Sequence, residues 1–431
     1  MSISTPVATM DEACALVAAA AGILYANGQT SRRVVEDIER LGKAVGYTVT
    51  VLPNWDGIVL RMQRADDSTV RRTEVVAARP IGVDMNKVTR ALDVLDAVCA
   101  RSLDVAGALA ALGKVAHLPG ASHVRFVVMA AAGAAALGVI FGSTDPISLL
   151  LIAFSAGLGG ALRRALVVYG GSFVLQPLCA ALVAGLIGAA AVWFVPTADA
   201  NLVALCPCMV LMPGPHLLNG ALDFAHLRIA LGLARFGLAA LVTLLICIGL
   251  IAGLAIGQQS LPPPGARTFA PLAFDVIAAG AAVAAFGSFF SMPWRILPIP
   301  IGIGMVAHGC RWLALAEGAN APLGAFIACL IVGVAVTLVA NRMCLPFAAF
   351  AFASVVSLVP GIYLFRMAAE LVAVMNAGPA GDAGLLVAPL VDGTTAVAIM
   401  LAMAFGLILP KLLLEYLFPV LSGLDGVHPR S

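Results

Sequence analysis

From residue 124 onward the chain is a succession of long apolar stretches; before that point hydrophobic and polar residues alternate as in soluble proteins. Apolar segments run over 125–142, 147–163, 171–195, 201–221, 231–256, 271–290, 296–314, 322–341, 345–371 and 386–410. A helix needs roughly 20 apolar residues to cross a bilayer, so the pattern predicts about ten transmembrane helices. Upstream, apolar residues at 34, 35, 38 and 41 mark one face of a helix, with Thr30 or Ser31 placed to cap it and Gly46 to stop it. CALVAAAAGILYA predicts a helix before it, and strand-like runs follow at 47–53, 57–63 and 70–78. MNKVTRALDVLDAVCARS and DVAGALAALGKVA then read as two further helices. The order ααβββαα predicts a small α+β domain, helices on one face of an antiparallel sheet.

The first apolar run is too short to span and follows Asp11 and Glu12 rather than a basic stretch. It therefore reads as a soluble helix, not a signal peptide, and the head is expected to stay in the cytoplasm. Charge divides the chain at the same place. Residues 1–123 hold 13 of the 25 Lys and Arg and 13 of the 23 Asp and Glu. The sparse remainder has the composition of a multi-span membrane domain.

The membrane part repeats itself. AAGAA at 131–135 returns at 278–282, and LMPG at 211–214 returns as LVPG at 358–361, both at an offset of 147. The offset lays the first five segments on the last five. Five is odd, so the second copy enters from the opposite side, which makes a 5+5 inverted repeat of the kind found in secondary transporters. The expected division is a cytoplasmic α+β domain at 1–123, membrane repeats at 124–256 and 271–418, an external Pro-rich linker at 257–270 and a cytoplasmic tail at 419–431. With the head inside, Arg125, Arg163, Arg164, Arg228, Arg235, Arg295, Arg342, Lys411 and Arg430 fall at cytoplasmic ends, against Arg267, Arg311 and Arg366 outside. That bias agrees with the positive-inside rule and a cytoplasmic head on a multi-pass membrane protein.

Proline lacks an N–H and clashes with the preceding turn, so Pro213-Gly214 and Pro360-Gly361 should break segments 4 and 9. A broken membrane helix exposes N–H groups on one half and carbonyls on the other, half-charges that match the carboxylate and ammonium of an amino acid. Pro213, Gly214, Pro360 and Gly361 are thus candidate substrate-binding positions, with His216 and Asn219 beside the first break and Ser357 and Tyr363 beside the second. His216, Asn219 and Asp223 are spaced to share one face of a resumed helix. His216, Asp223, Asp275 and Asp392 are candidates for proton or ion coupling, since carboxylates in apolar segments are expensive and histidine titrates near neutral pH. For Asp223 and Arg366 interfacial capping is an equal reading, and His308 reads better as a hydrogen-bonded structural group.

No motif for a nucleophile, metal-dependent hydrolase or phosphate loop is present, and Asp56, Asp84 and Asn86 read as turn and capping residues. Cys206 and Cys208 have no histidine or carboxylate at ligand spacing, so neither a metal nor a cofactor is expected. No basic run suggests nucleic acid.

The head stretches LYANGQTSRRVVEDIERLGKAVG and MNKVTRALDVLDAV, with LMPGPHLLNGALDFAHLRIALGLAR and FASVVSLVPGIYLFRMAAEL in the membrane part, resemble the threonine/serine exporter (ThrE-type) family across nearly the whole chain. The resemblance implies a cytoplasmic domain followed by about ten spans, exporting threonine and serine with proton motive force. It carries Pro213, Gly214, Asn219, Asp223, Pro360 and Gly361 by motif; His216 departs from the pattern. Other readings are an exporter of another small amino acid or organic acid, or a membrane-anchored hydrolase acting through the head. Expected partners are threonine or serine and the lipid bilayer; a homo-oligomer stays open.

Overall fold

A computed structural model describes residues 9–67, 69–170, 172–195, 199–261, 270–343, 347–378 and 382–421. The head follows the expected order: α1 (Met10–Ala26), α2 (Ser31–Ala44), β1 (Tyr47–Asn54), β2 (Gly57–Arg64), β3 (Arg71–Ala77), α3 (Met85–Cys99) and α4 (Val105–Ala116). Helix α1 starts earlier than its apolar run because Thr9 and Glu12 form a reciprocal capping box. Thr30 caps α2 through Arg33 N–H, and Asp84 caps α3 through Asn86 and Lys87 N–H. Asp56 does not cap; it lies in the β1–β2 turn, 3.0 Å from Arg79.

The sheet is an antiparallel meander in the order β1-β2-β3, with Tyr47 opposite Arg64 and Gly57 opposite Ala77. Alternate positions Tyr47, Val49 and Val51 of β1 and Ile58, Leu60 and Met62 of β2 are buried with Val34, Ile38 and Leu41 of α2. Each fully buried side chain of this kind contributes about 1.5–3 kcal/mol. Asp37 of α2 is half-buried, and desolvation pushes its carboxyl up to about 6 from 3.8, against the pull of Arg40 and Arg33. Between those values the folded head holds a proton that the unfolded chain has released. Its stability should therefore fall as pH rises through that window, and Asp37→Asn should flatten the dependence in thermal unfolding of the full-length protein.

The remaining helices are α5 (His123–Ile140), α6 (Pro146–Val168), α7 (Leu175–Phe194), α8 (Ala200–Met209), α9 (Gly214–Ala225), α10 (Ile229–Ile256), α11 (Leu272–Phe289), α12 (Pro298–Ala316), α13 (Ala321–Met343), α14 (Phe347–Val355), α15 (Gly361–Ala377) and α16 (Val387–Leu421). Among the described residues, eight are continuous helices long and apolar enough to span. Two bent pairs, α8 with α9 and α14 with α15, bring the number of spans to as many as ten. Large apolar side chains such as Leu150, Phe154, Leu233, Ile277 and Phe405 face outward. An apolar exterior is the inverse of a soluble surface and suits contact with lipid chains.

The same helix pairings recur in both halves. In the first, α5 packs on α6, α6 on α7 and α8, α7 on α8 and α10, and α9 on α10; in the second, α11 packs on α12, α12 on α13 and α14, α13 on α14 and α16, and α15 on α16. The outer pairs are close because of glycine. A Cβ on Gly253 of α10 would lie 2.3 Å from the Leu182 carbonyl of α7, and one on Gly406 of α16 would lie 2.9 Å from the Phe326 carbonyl of α13. The halves meet along α5 and α11 and at the two bent pairs. Of the expected linker, residues 262–269 lie outside the described residues, as do Cys344, Arg430 and residues 422–431 of the tail.

Candidate functional site

The fourth segment is interrupted where Pro213 was expected to break it. Helices α8 and α9 meet at 53°, and α14, extended by a single 3-10 turn at Val356–Leu358, meets α15 at 50°. The two breaks share one local geometry. Pro213 (φ −82, ψ 51) lets Gly214 N–H bond the Met212 carbonyl at 2.9 Å; Pro360 (φ −77, ψ 35) lets Gly361 N–H bond the Val359 carbonyl at 2.8 Å. Each is close to an inverse γ-turn, which a proline centre favours because its φ is already fixed there. Neither resumed helix has a side-chain cap, so both N-termini keep the partial positive charge of their leading N–H groups.

The breaks face each other. Gly214 lies against the Phe352 ring of α14, and Gly361 lies against Met209 of α8 and Met212. Between them is an apolar cavity of about 60 Å³, lined among others by Gly214, Leu218, Phe236, Phe352, Pro360 and Met403. Ser357 is buried in the 3-10 turn and Tyr363 is half-buried one turn into α15. Ser354 holds α14 to α12 by donating to the Pro300 carbonyl at 3.2 Å.

His216, Asn219 and Asp223 lie buried along α9, consistent with the shared face their spacing predicts, and that face meets the head. The His216 ring is turned toward the Ile81 backbone of the head, and its buried Nδ1 has no hydrogen-bond partner. Asp223 pairs with Arg235 of α10 at 2.8 Å, and Arg235 also reaches Ser31 of α2 at 3.4 Å. His226, at the end of α9, lies 3.3 Å from Arg32. A water-sized cavity of about 10 Å³ remains between α2 and α9, lined by Thr30, Ser31, Asn219, Asp223, His226 and Lys411; the Asn219 Oδ1 is without a partner. Arg235 is therefore not a solvent-facing end charge as its count with the cytoplasmic arginines implied. It is 1% exposed and locked to a carboxylate.

Two further acids in the apolar segments are also paired, whereas the buried Oε2 of Glu370 on α15 has no hydrogen-bond partner. Asp392 of α16 lies 3.0 Å from Arg366 of α15, and Asp275 of α11 lies 2.6 Å from His308 Nδ1 of α12. The offset of 147 carries Asn219 onto Arg366 and Asp223 onto Glu370, so each broken helix makes an ion pair with the helix that follows it, with opposite polarity in the two halves. His308 is hydrogen-bonded to a neighbouring helix, as the sequence reading expects, but the sequence names neither Asp275 as its partner nor Asp223 as the partner of Arg235. The signal available for both was the cost of a charge in an apolar segment, which identifies such groups without naming their partners.

The fold and site define a polytopic membrane protein organised about two facing broken helices, with an α+β head docked on one of them. The chain belongs to the threonine/serine exporter family. The family model described as "Putative threonine/serine exporter" matches residues 15–257, and that described as "Threonine/Serine exporter, ThrE" matches residues 275–413. The first match takes in the head together with α5–α10, and the second takes in α11–α16. Membership makes the protein a transporter rather than an enzyme and sets aside the hydrolase alternative. No solved structure matches the chain.

Proposed function

We propose that the protein is a secondary active exporter of threonine and serine, coupled to protons and working by alternating access, with its two membrane halves an inverted repeat and its head in the cytoplasm of the inner membrane. The observation that carries this reading is the pair of proline-centred breaks with the same γ-turn geometry, set against each other at positions 147 apart. The recurrence of helix pairings supports the repeat, and the excess of Lys and Arg at the head-side ends supports the orientation.

In this reading the N-termini of α9 and α15, opened at Pro213-Gly214 and Pro360-Gly361, attract the substrate carboxylate, while carbonyls at the ends of α8 and α14 attract the ammonium. Asn219, His216, Ser357 and Tyr363 supply polar contacts beside the breaks. His216, Asp223, Asp275 and Asp392 are the groups among which the coupling proton is to be sought. Counterflow of labelled threonine or serine in proteoliposomes, with and without an imposed pH gradient, tests the reading. Saturable uptake that the gradient accelerates is the expected result; no uptake across a panel of amino acids overturns it.

A further inference from the structure

We propose that the Asp275–His308 pair is the site that takes up the coupling proton, an inference that rests on the exporter reading. Asp223 and Asp392 are each held by an arginine, a group that does not release its proton in proteins, so neutralising either acid would strand a buried or half-buried guanidinium. His216 is turned toward the head backbone. Asp275 and His308, by contrast, form a buried pair in which both partners can exchange a proton.

Both side chains are buried, at 3% and 2% exposure, and joined at 2.6 Å through Nδ1 and Oδ2. With Asp275 ionised, Nδ1 must carry the hydrogen, which leaves Nε2 as a bare acceptor. That atom is buried and has no partner. A proton arriving at Nε2 converts a pair of net charge −1 into an imidazolium–carboxylate pair of net charge zero, and its departure restores the bare nitrogen. No other bond forms or breaks. Uncompensated charge is costly in a low-dielectric interior, so loading and unloading change the energy of the surrounding helices.

Arg311 lies one turn along α12 from His308 and acts electrostatically on it. The other charged groups on the packed helices are Arg125 at the head-side end of α5 and Arg342 at the end of α13, with the thiol of Cys329 on α13 in the field of Arg311. Position fits the role. The far end of α11 touches the head, where Met85 N–H bonds the Phe290 carbonyl at 2.7 Å. Asp275, in the first turn, is about 20 Å away at a rise of about 1.5 Å per residue, on the side from which inward-moving protons would arrive.

The test uses full-length protein in proteoliposomes holding a pH-sensitive dye. In Asp275→Asn and His308→Gln, threonine accumulation driven by a pH gradient and the accompanying proton flux should be lost out of proportion to counterflow at equal pH, and Asp275→Glu should restore both. Equal loss of gradient-driven transport and counterflow, or coupling that survives in both variants, overturns the assignment. Should the unaltered protein carry no amino acid, the exporter reading fails on its own. The pair is then decided by infrared difference spectra across a pH titration of the protein in lipid. A protonation signal removed by both substitutions supports it, and its absence from the unaltered protein overturns it.

Discussion

Alanine at position 214 should abolish transport, whereas alanine at the equivalent position 361 should be tolerated. A Cβ on Gly214 would lie 1.6 Å from Cε2 and 1.7 Å from Cζ of Phe352, well inside any permitted contact. The ring has little room to retreat. Phe352 is 3% exposed and packs edge-on or tilted against Phe286 and Phe290, at centroid distances of 6.3 and 5.8 Å. The Phe290 carbonyl is in turn bonded to the head. Overpacking of this kind typically costs about 1–3 kcal/mol, and here it falls on the contact that holds the two breaks together. A Cβ on Gly361 would instead meet Met209 at 3.3 Å and Met212 and the Phe365 ring edge at 3.4 Å, at or near ordinary contact, and the tightest neighbour is a flexible methionine that can shift by the few tenths required. Counterflow with parallel thermal unfolding of the purified variants measures the difference. Phe352→Leu combined with Gly214→Ala should recover part of the activity. Transport by Gly214→Ala at the unaltered rate would reduce the first break to an incidental kink.

How far the molecule could be read from its sequence depended on whether a feature was local. The helix breaks were legible because proline enforces them wherever it stands, and the resumption at Gly214 and Gly361 follows from the residues beside them. The head elements were legible from periodicity and caps, since Thr30 and Asp84 act on N–H groups two or three residues away. The polar face of α9 was legible as a face but not as a surface with a partner. What lies against it is Ile81 and the start of α2, more than a hundred residues earlier in the chain. The same limit applied to Arg235. Six residues into α10, it resembles an end charge in a hydropathy profile, and only the packing of α9 on α10 brings Asp223 to it. Asp275 and His308 could each be identified as costly, but their contact joins two helices and depends on how α11 meets α12.

Arg235→Met should be the most destabilising single replacement of a charged residue in the membrane part. Asp223 is 3% exposed, and its short contact is with Arg235; the Arg228 guanidinium is 4.0 Å away and partly in water. Removing one member of a buried ion pair leaves an uncompensated charge and costs about 3–5 kcal/mol. The substitution also takes away the hydrogen bond to Ser31, so α2 loses one of its polar contacts with the broken helix and its neighbour. Lower thermal stability and faster proteolytic release of the head should appear together. Arg366→Met should cost less, because the Arg366–Asp392 pair is less deeply buried, at 21% and 7% side-chain exposure against 1% and 4% for Arg235 and Asp223. The decisive comparison is Asp223→Asn with Arg235→Met, which removes both charges. If desolvation of the unpaired carboxylate causes the defect, the double variant should regain most of the stability lost by the single one. Its head should still release readily, since Ser31 stays without the guanidinium. Recovery of both properties would show that shape, not the ion pair, holds α2 on the membrane part.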